Sequence, residues 1–208
     1  MKIGIMGGTF NPIHIGHLLL GEFAYEEFQL DEIWFLPNGN PPHKTMTENH
    51  SAKLSDRLKM IELAIKGNPH FKLSLHEANS THHSYTYQTL KELHSLYPSH
   101  DFYFILGADS LFSIEEWKCF QDILSSCTIL AAMREDKDIQ DMLTQIEYLS
   151  NRYGAKIELL KAPLLEISST VIRKRIERGL IVRYMVPDDV DTYMKKRQLY
   201  RENKGYDK

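Results

Sequence analysis

Short apolar runs recur along the chain, and helical patterns stand between several of them. This alternation limits the possible folds more than any other feature. KIGIM (2–6) reads as a buried strand, and HLLLGEFAYEEFQL (17–30) carries Leu19, Leu20, Phe23, Ala24 and Phe28 at helical spacing. EIWFLP (32–37) is the next strand, and Ser55 caps a predicted helix running to about Lys66, before Gly67. FKLSL (71–75) is a third strand, TYQTLKELHSLY (86–97) a helix stopped by Pro98, and FYFILG (102–107) an all-apolar fourth strand. CTILAAM (127–133) and KIELL (156–160) complete the strands. From Pro163 the pattern turns helical, in SSTVIRKRIERG (168–179) and PDDVDTYMKKR (187–197).

The fold expected is α/β: a doubly wound parallel sheet with right-handed crossovers and a small helical C-terminal part, about 163–208. At 208 residues the chain suits one domain, 1–208. Ligands of such sheets bind beyond the carboxyl ends of the strands, where strand order reverses. Side chains just after strands are therefore the candidates for function. The loop from Asn38 to Leu54 is the longest segment without a pattern, and long loops in compact domains often serve function.

Charge and composition narrow the class. A formal net charge of -3 offers no basic excess for coating nucleic-acid phosphates. The two cysteines, Cys119 and Cys127, lack metal-site spacing and imply a reducing compartment. No apolar run is long enough to span a bilayer, and the first one breaks too early for a signal peptide. A cytoplasmic protein, away from membranes, is expected.

GGTFNPIHIGH (7–17) follows the first strand. Gly7 and Gly8 permit a sharp turn and close approach of a ligand, and Pro12 fixes the loop. The spacing matches neither a dinucleotide fingerprint nor a Walker loop. His14 and His17 are i and i+3, on one face at a helix N-terminus that favours an anion. A glycine turn before a helix is common, and a histidine pair is often surface or core. A metal-ligand reading lacks further ligands at a recognisable spacing. Phosphate handling accounts best for glycine turn, helix start and paired imidazoles together.

ISSTVIR (167–173) repeats the theme. Ser168, Ser169 and Thr170 are all capping residues, and Arg173 can lean back over the helix start, so amides, hydroxyls and a guanidinium converge. A well-capped basic surface helix explains Lys174, Arg175 and Arg178 but not the triple hydroxyl run. Two phosphate sites point to a substrate with several phosphates. Lys44 in the long loop, Arg134 after CTILAAM and Asp109 after FYFILG are further candidates, each equally compatible with a solvated charge.

With these residues in view, the chain resembles the nucleotidyltransferase superfamily with the HxGH motif. DEIWFLPNGNPPHK (31–44), SYTYQTL (84–90), FILGADSL (104–111) and Trp117 make it similar to the bacterial nicotinate-mononucleotide adenylyltransferases within that superfamily. Asn11 stands where many relatives carry aspartate, a swap that either side chain's hydrogen bonding accommodates. The resemblance implies a Rossmann-like domain that transfers AMP from ATP to nicotinate mononucleotide and releases pyrophosphate, with Mg²⁺ carried on the ATP. It implies that Gly8, Thr9 and Phe10 line the nucleotide-phosphate site, with His14, His17 and Arg173 catalytic. Gly107 and Asp109 would hold the ATP ribose, and Ser169, Thr170 and Arg173 the triphosphate. Lys44 and Arg134 would lie beside the phosphates on the mononucleotide side. Ser84, Tyr85, Thr86 and Trp117 would form the nicotinate pocket; the ordinary alternative for Trp117 is a half-buried core residue.

The nearest rivals are a nicotinamide-mononucleotide or phosphopantetheine adenylyltransferase, a class I aminoacyl-tRNA synthetase fragment, and an inert nucleotide sensor. Chains acting on phosphopantetheine are typically shorter and lack SYTYQTL and GADSL; no lysine-rich second loop or tRNA-binding domain is visible here. A sensor would not need the transfer clamp. Aromatic residues near the C-terminus offer a surface for a homo-oligomer.

Overall fold

The computed structural model describes residues 1–39, 52–78, 85–133, 139–163 and 165–201. Six strands form one sheet: β1 (Lys2–Gly8), β2 (Glu32–Pro37), β3 (Phe71–Leu73), β4 (Asp101–Gly107), β5 (Thr128–Ala132) and β6 (Lys156–Leu160). Their order is β3-β2-β1-β4-β5-β6, and every neighbouring pair is parallel. The sheet winds outward from β1 in one direction and from β4 in the other. A crevice therefore opens between their carboxyl ends, as expected for a doubly wound sheet.

Strand side chains alternate between two cores because the pleat has period two. Ile3 and Ile5 of β1 join Phe102, Phe104 and Leu106 of β4 and Ile129 of β5 on one face. Met6, Ile105 and Leu130 point to the other. The first face is covered by α3 (Thr86–Leu96), α4 (Ala108–Phe112), α5 (Phe120–Ser126) and α6 (Ile139–Tyr153), through residues such as Leu90, Leu111, Ile123 and Met142. The second is covered by α1 (Ile15–Glu27), α2 (Leu54–Ile65), α7 (Ser169–Glu177) and α8 (Asp188–Lys196), through Ala24, Met60, Ile61, Ile172, Val190 and Met194. Each strand buried on both faces reads as an apolar run for this reason.

Several local expectations change. The residue capping α2 is Lys53, not Ser55, which is already the second helical residue. Arg57 N–H bonds the Lys53 carbonyl, so the first turn begins before the serine. Helices α4 to α6 have no counterpart in the sequence reading: α4 and α5 are too short to show a period, whereas α6, at fifteen residues, is long enough to carry one. Gly7 and Gly8 do not make the turn: both remain in β1, and neither has a positive φ. The turn falls on Phe10, at φ 48°, a strained conformation for a bulky residue. Gly8 serves that turn differently, since a Cβ there would come within 3.2 Å of the Phe10 ring.

The C-terminal aromatic residues divide. Tyr184 is 79% exposed, whereas Tyr200 is buried against the second core. No helix among the described residues is long and apolar enough to cross a membrane.

Candidate functional site

The loop after β1 is fixed by donors drawn from the whole chain. The Gly8 carbonyl accepts from Asn38 N–H, which follows β2 (3.1 Å). The Thr9 carbonyl accepts from Arg57 Nη1 of α2 (2.7 Å). Asn11's carbonyl accepts from Arg173 Nη1 of α7 (2.8 Å), and the Pro12 carbonyl from Ser169 Oγ (2.8 Å). In a trans peptide the C=O and N–H vectors oppose each other. Anchoring the carbonyls of Gly8, Thr9 and Pro12 therefore turns the amides of Thr9, Phe10 and Ile13 away from Asn38, Arg57 and Ser169 respectively.

Two helix N-termini meet at this loop. His14 is the N-cap of α1, and Ser168 caps α7 by accepting from Val171 N–H (3.2 Å). The Ser169 and Arg173 bonds bring the start of α7 onto Asn11 and Pro12, so two positive dipole ends face one region. Arg173 also donates Nη2 to Thr170 Oγ1 (3.2 Å), as its backward lean requires. GGTFNPIHIGH and ISSTVIR are one site.

The two imidazole rings lie against each other at a tilt of 33°, ring centres 3.7 Å apart. His14 is 6% exposed, and burial pushes its pKa down to about 4. Burial, then the neighbouring His14, holds His17 well below the usual histidine range. Both rings are neutral at pH 7. His17 Nδ1 accepts from the His14 backbone N–H (3.2 Å), so its proton sits on Nε2. His17 is then an uncharged donor at Nε2, which a ligand oxygen can accept from. Gly16 makes this contact possible, because a Cβ there would lie 3.1 Å from His14 Nδ1. Phe10's ring, 2% exposed, packs beneath His17 at 5.1 Å. The expectation that Phe10 lines the phosphate site thus narrows to its backbone, since the left-handed turn sends the ring inward.

Gly107 ends β4 and caps α4, beside β1 and facing the reversal of strand order. A Cβ there would meet nothing within 4 Å, so the space over it is open to a ligand. Asp109 is exposed in the first turn of α4. Tyr85 is the N-cap of α3 and Thr86 its first residue, which leaves the amides of that helix start facing outward. Trp117 is half-buried, edge-on to Phe104 at 6.3 Å, so the core reading accounts for part of it. The next residue, Lys118, places its Nζ 4.4 Å from the centre of the Tyr85 ring and joins the two segments. Lys44, Ser84 and Arg134 lie outside the described residues.

Two participants, Arg57 and Tyr200, escaped the sequence reading. Arg57 is 1% exposed and donates Nη2 to the Asn38 carbonyl (2.9 Å) as well as Nη1 to Thr9. Its signal was a charge on the Met60–Ile61 face of an amphipathic helix. Asn11 Oδ1 accepts from Ala52 N–H (3.1 Å) and from Tyr200 Oη (2.6 Å). An acceptor role would suit an aspartate there equally. Nothing local in the sequence marks Tyr200 as a partner of Asn11.

Comparison with known proteins agrees with this geometry. Residues 5–175 match the family model described as cytidylyltransferase-like. A Lachnoclostridium phytofermentans protein named "Probable nicotinate-nucleotide adenylyltransferase" is 46% identical, covering 96% of this chain and 98% of its own. A Desulfitobacterium hafniense protein of the same name is 42% identical, covering 96% of each chain. Among solved structures, Plasmodium falciparum nicotinic acid mononucleotide adenylyltransferase complexed with NaAD superposes with a TM-score of 0.77. That match covers 96% of this chain and 97% of that one at 23% identity, a likeness of fold. With HxGH on its first helix and the second motif folded against it, the chain belongs to the nicotinate-nucleotide adenylyltransferases of the cytidylyltransferase-like family.

Proposed function

We propose that this chain transfers AMP from ATP to nicotinate mononucleotide, giving nicotinate adenine dinucleotide and pyrophosphate in NAD biosynthesis. The observation that carries the reading is the bond from Arg173 to the Asn11 carbonyl, which brings both motifs together. The names of the relatives supply the substrate.

The attacking phosphate monoester has a second pKa of about 6 and is largely dianionic at neutral pH, so no general base is needed. Two polyanions must instead be aligned and their repulsion relieved. The loop amides and helix starts receive the ATP phosphates, and Arg173, Ser169 and Thr170 hold the triphosphate. His17 donates from Nε2 to an oxygen on the reacting phosphorus as charge builds there, with His14 lying against it. Gly107 leaves room for the ribose, and Asp109 follows as its hydrogen-bond partner. Tyr85, Thr86 and Trp117 take the pyridine ring, whose carboxylate the α3 amides can satisfy; Ser84, Lys44 and Arg134 complete the mononucleotide side in this reading.

Among the described residues no group of three His, Cys, Asp or Glu side chains converges on one point. Mg²⁺ would therefore be held chiefly by the phosphates themselves, where it neutralises charge.

Pyrophosphate release with Mg²⁺, ATP and a panel of acceptors tests the proposal. Nicotinate mononucleotide should be the preferred acceptor, and nicotinamide mononucleotide poorer by up to about 10⁴, because its NH₂ would face donors. A folded protein inactive on nicotinate mononucleotide, or preferring phosphopantetheine, would refute it.

A further inference from the structure

We propose that Arg57 is a positioning residue for the phosphate loop: its buried guanidinium holds the ends of two strands in place and sets an unbalanced positive charge behind the bound triphosphate. The inference rests on the proposed function, because it is the ligand that supplies the balancing charge.

Arg57 lies on the face of α2 that carries Met60 and Ile61, all three fully buried. Its Nη1 and Nη2 donate to the carbonyls of Thr9 and Asn38, the residues that follow β1 and β2. One planar group thus spans the two strand ends at the mouth of the crevice. A guanidinium is fitted for this, since its donors form a rigid fork.

The charge itself is the unexplained part. No carboxylate among the described residues lies within ion-pair distance of Arg57. The adjacent Asp56 is engaged by Arg197 Nε (3.1 Å) and Tyr193 Oη (2.8 Å), so its charge is already balanced. Arg57 Nε has no partner either. Burial accordingly pulls the guanidinium below its ordinary value, although it stays protonated at neutral pH. An unpaired buried charge is costly. A neutral amide of similar length could hold a carbonyl without that cost. The Thr9 carbonyl lies between Arg57 and the outward amide of Phe10, and polarisation along that peptide strengthens the amide as a donor. A polyphosphate on the loop is the anion that such an arrangement fits.

The test compares Arg57→Gln, Arg57→Lys and Tyr193→Phe with wild type, each confirmed folded by circular dichroism. Calorimetry measures affinity for inorganic tripolyphosphate, and kinetics separates KM for ATP from KM for nicotinate mononucleotide. Arg57→Gln should weaken tripolyphosphate binding and raise KM for ATP by about tenfold or more, as loss of a charged donor does. Arg57→Lys, which keeps the charge but not the fork, should fall between the glutamine variant and wild type, and KM for the mononucleotide should stay within about twofold of wild type in both. Tyr193→Phe, which loosens α2 against α8 without touching charge, should change neither.

Equal binding by Arg57→Gln and wild type overturns the inference alone, as does a lysine variant no better than glutamine. A wild type that neither binds tripolyphosphate nor turns over overturns the proposed function, and this inference with it. If Arg57→Gln does not fold, nitrogen NMR of the wild type decides. The Arg57 Nε–H resonance should move on saturation with tripolyphosphate, and an unmoved resonance overturns the proposal.

Discussion

At the scale of single residues, the site rests on groups held away from their solution behaviour. Phe10 turns the chain with a positive φ, and both histidines are kept neutral. Neutrality has a cost as pH falls. The folded pKa of His14 is about 4 against an ordinary 6.5, so below 6.5 the unfolded chain binds more protons. The stability tied to the neutral ring is therefore complete above pH 6.5 and is lost as pH falls towards 4. A shift of that size corresponds to about 3 kcal/mol as an upper figure. Carboxylates lose stability in the same range, so the comparison must be with His14→Gln. Urea unfolding at pH 7 and pH 4.5 should show a larger loss for wild type than for the variant; equal losses would assign the acid sensitivity elsewhere.

At the scale of elements, α7 divides into a working start and a structural end. Arg173 at its second turn reaches the loop after β1. Two residues on, Arg175 donates both Nε and Nη2 to the Ile181 carbonyl (3.0 Å each) and ties down the chain leaving the helix. Arg173→Lys should raise KM for ATP by about tenfold, because a point charge cannot reproduce a fork. Arg175→Lys should lower Tm by a few degrees and leave KM alone. Equal effects on KM would mean that the helix acts as one basic face. The same helix shows what a sequence can disclose. Its serine run and its arginine at i+4 are local, and so was their reading. The strands were legible because burial on both faces demands unbroken apolar runs, as in FYFILG. The anchors of the loop were not. Arg57 looks like an ordinary charge in an amphipathic helix until its exposure is known, and two adjacent glycines mask the turn at Phe10.

At the scale of the whole molecule, the site is bound to the far end of the chain. The Tyr200 hydroxyl, 189 residues from Asn11, shares its Oδ1 with Ala52 N–H. Tyr200→Phe should cost about 1–2 kcal/mol by leaving that acceptor half satisfied, and should lower kcat/KM for ATP by several-fold as the loop loosens. A lower Tm with unchanged kinetics would make the tyrosine a core residue only. The separations have a consequence in time. Ser169 and Arg173 reach back 157 and 162 residues to the loop they hold, and during synthesis that loop is made before them. At roughly 5–20 residues per second, roughly ten to forty seconds pass before Tyr200, its last partner, is translated. The nascent chain carries both histidines through that interval without a finished anion site. Activity should therefore arrive as a single late event, with no partial enzyme before it.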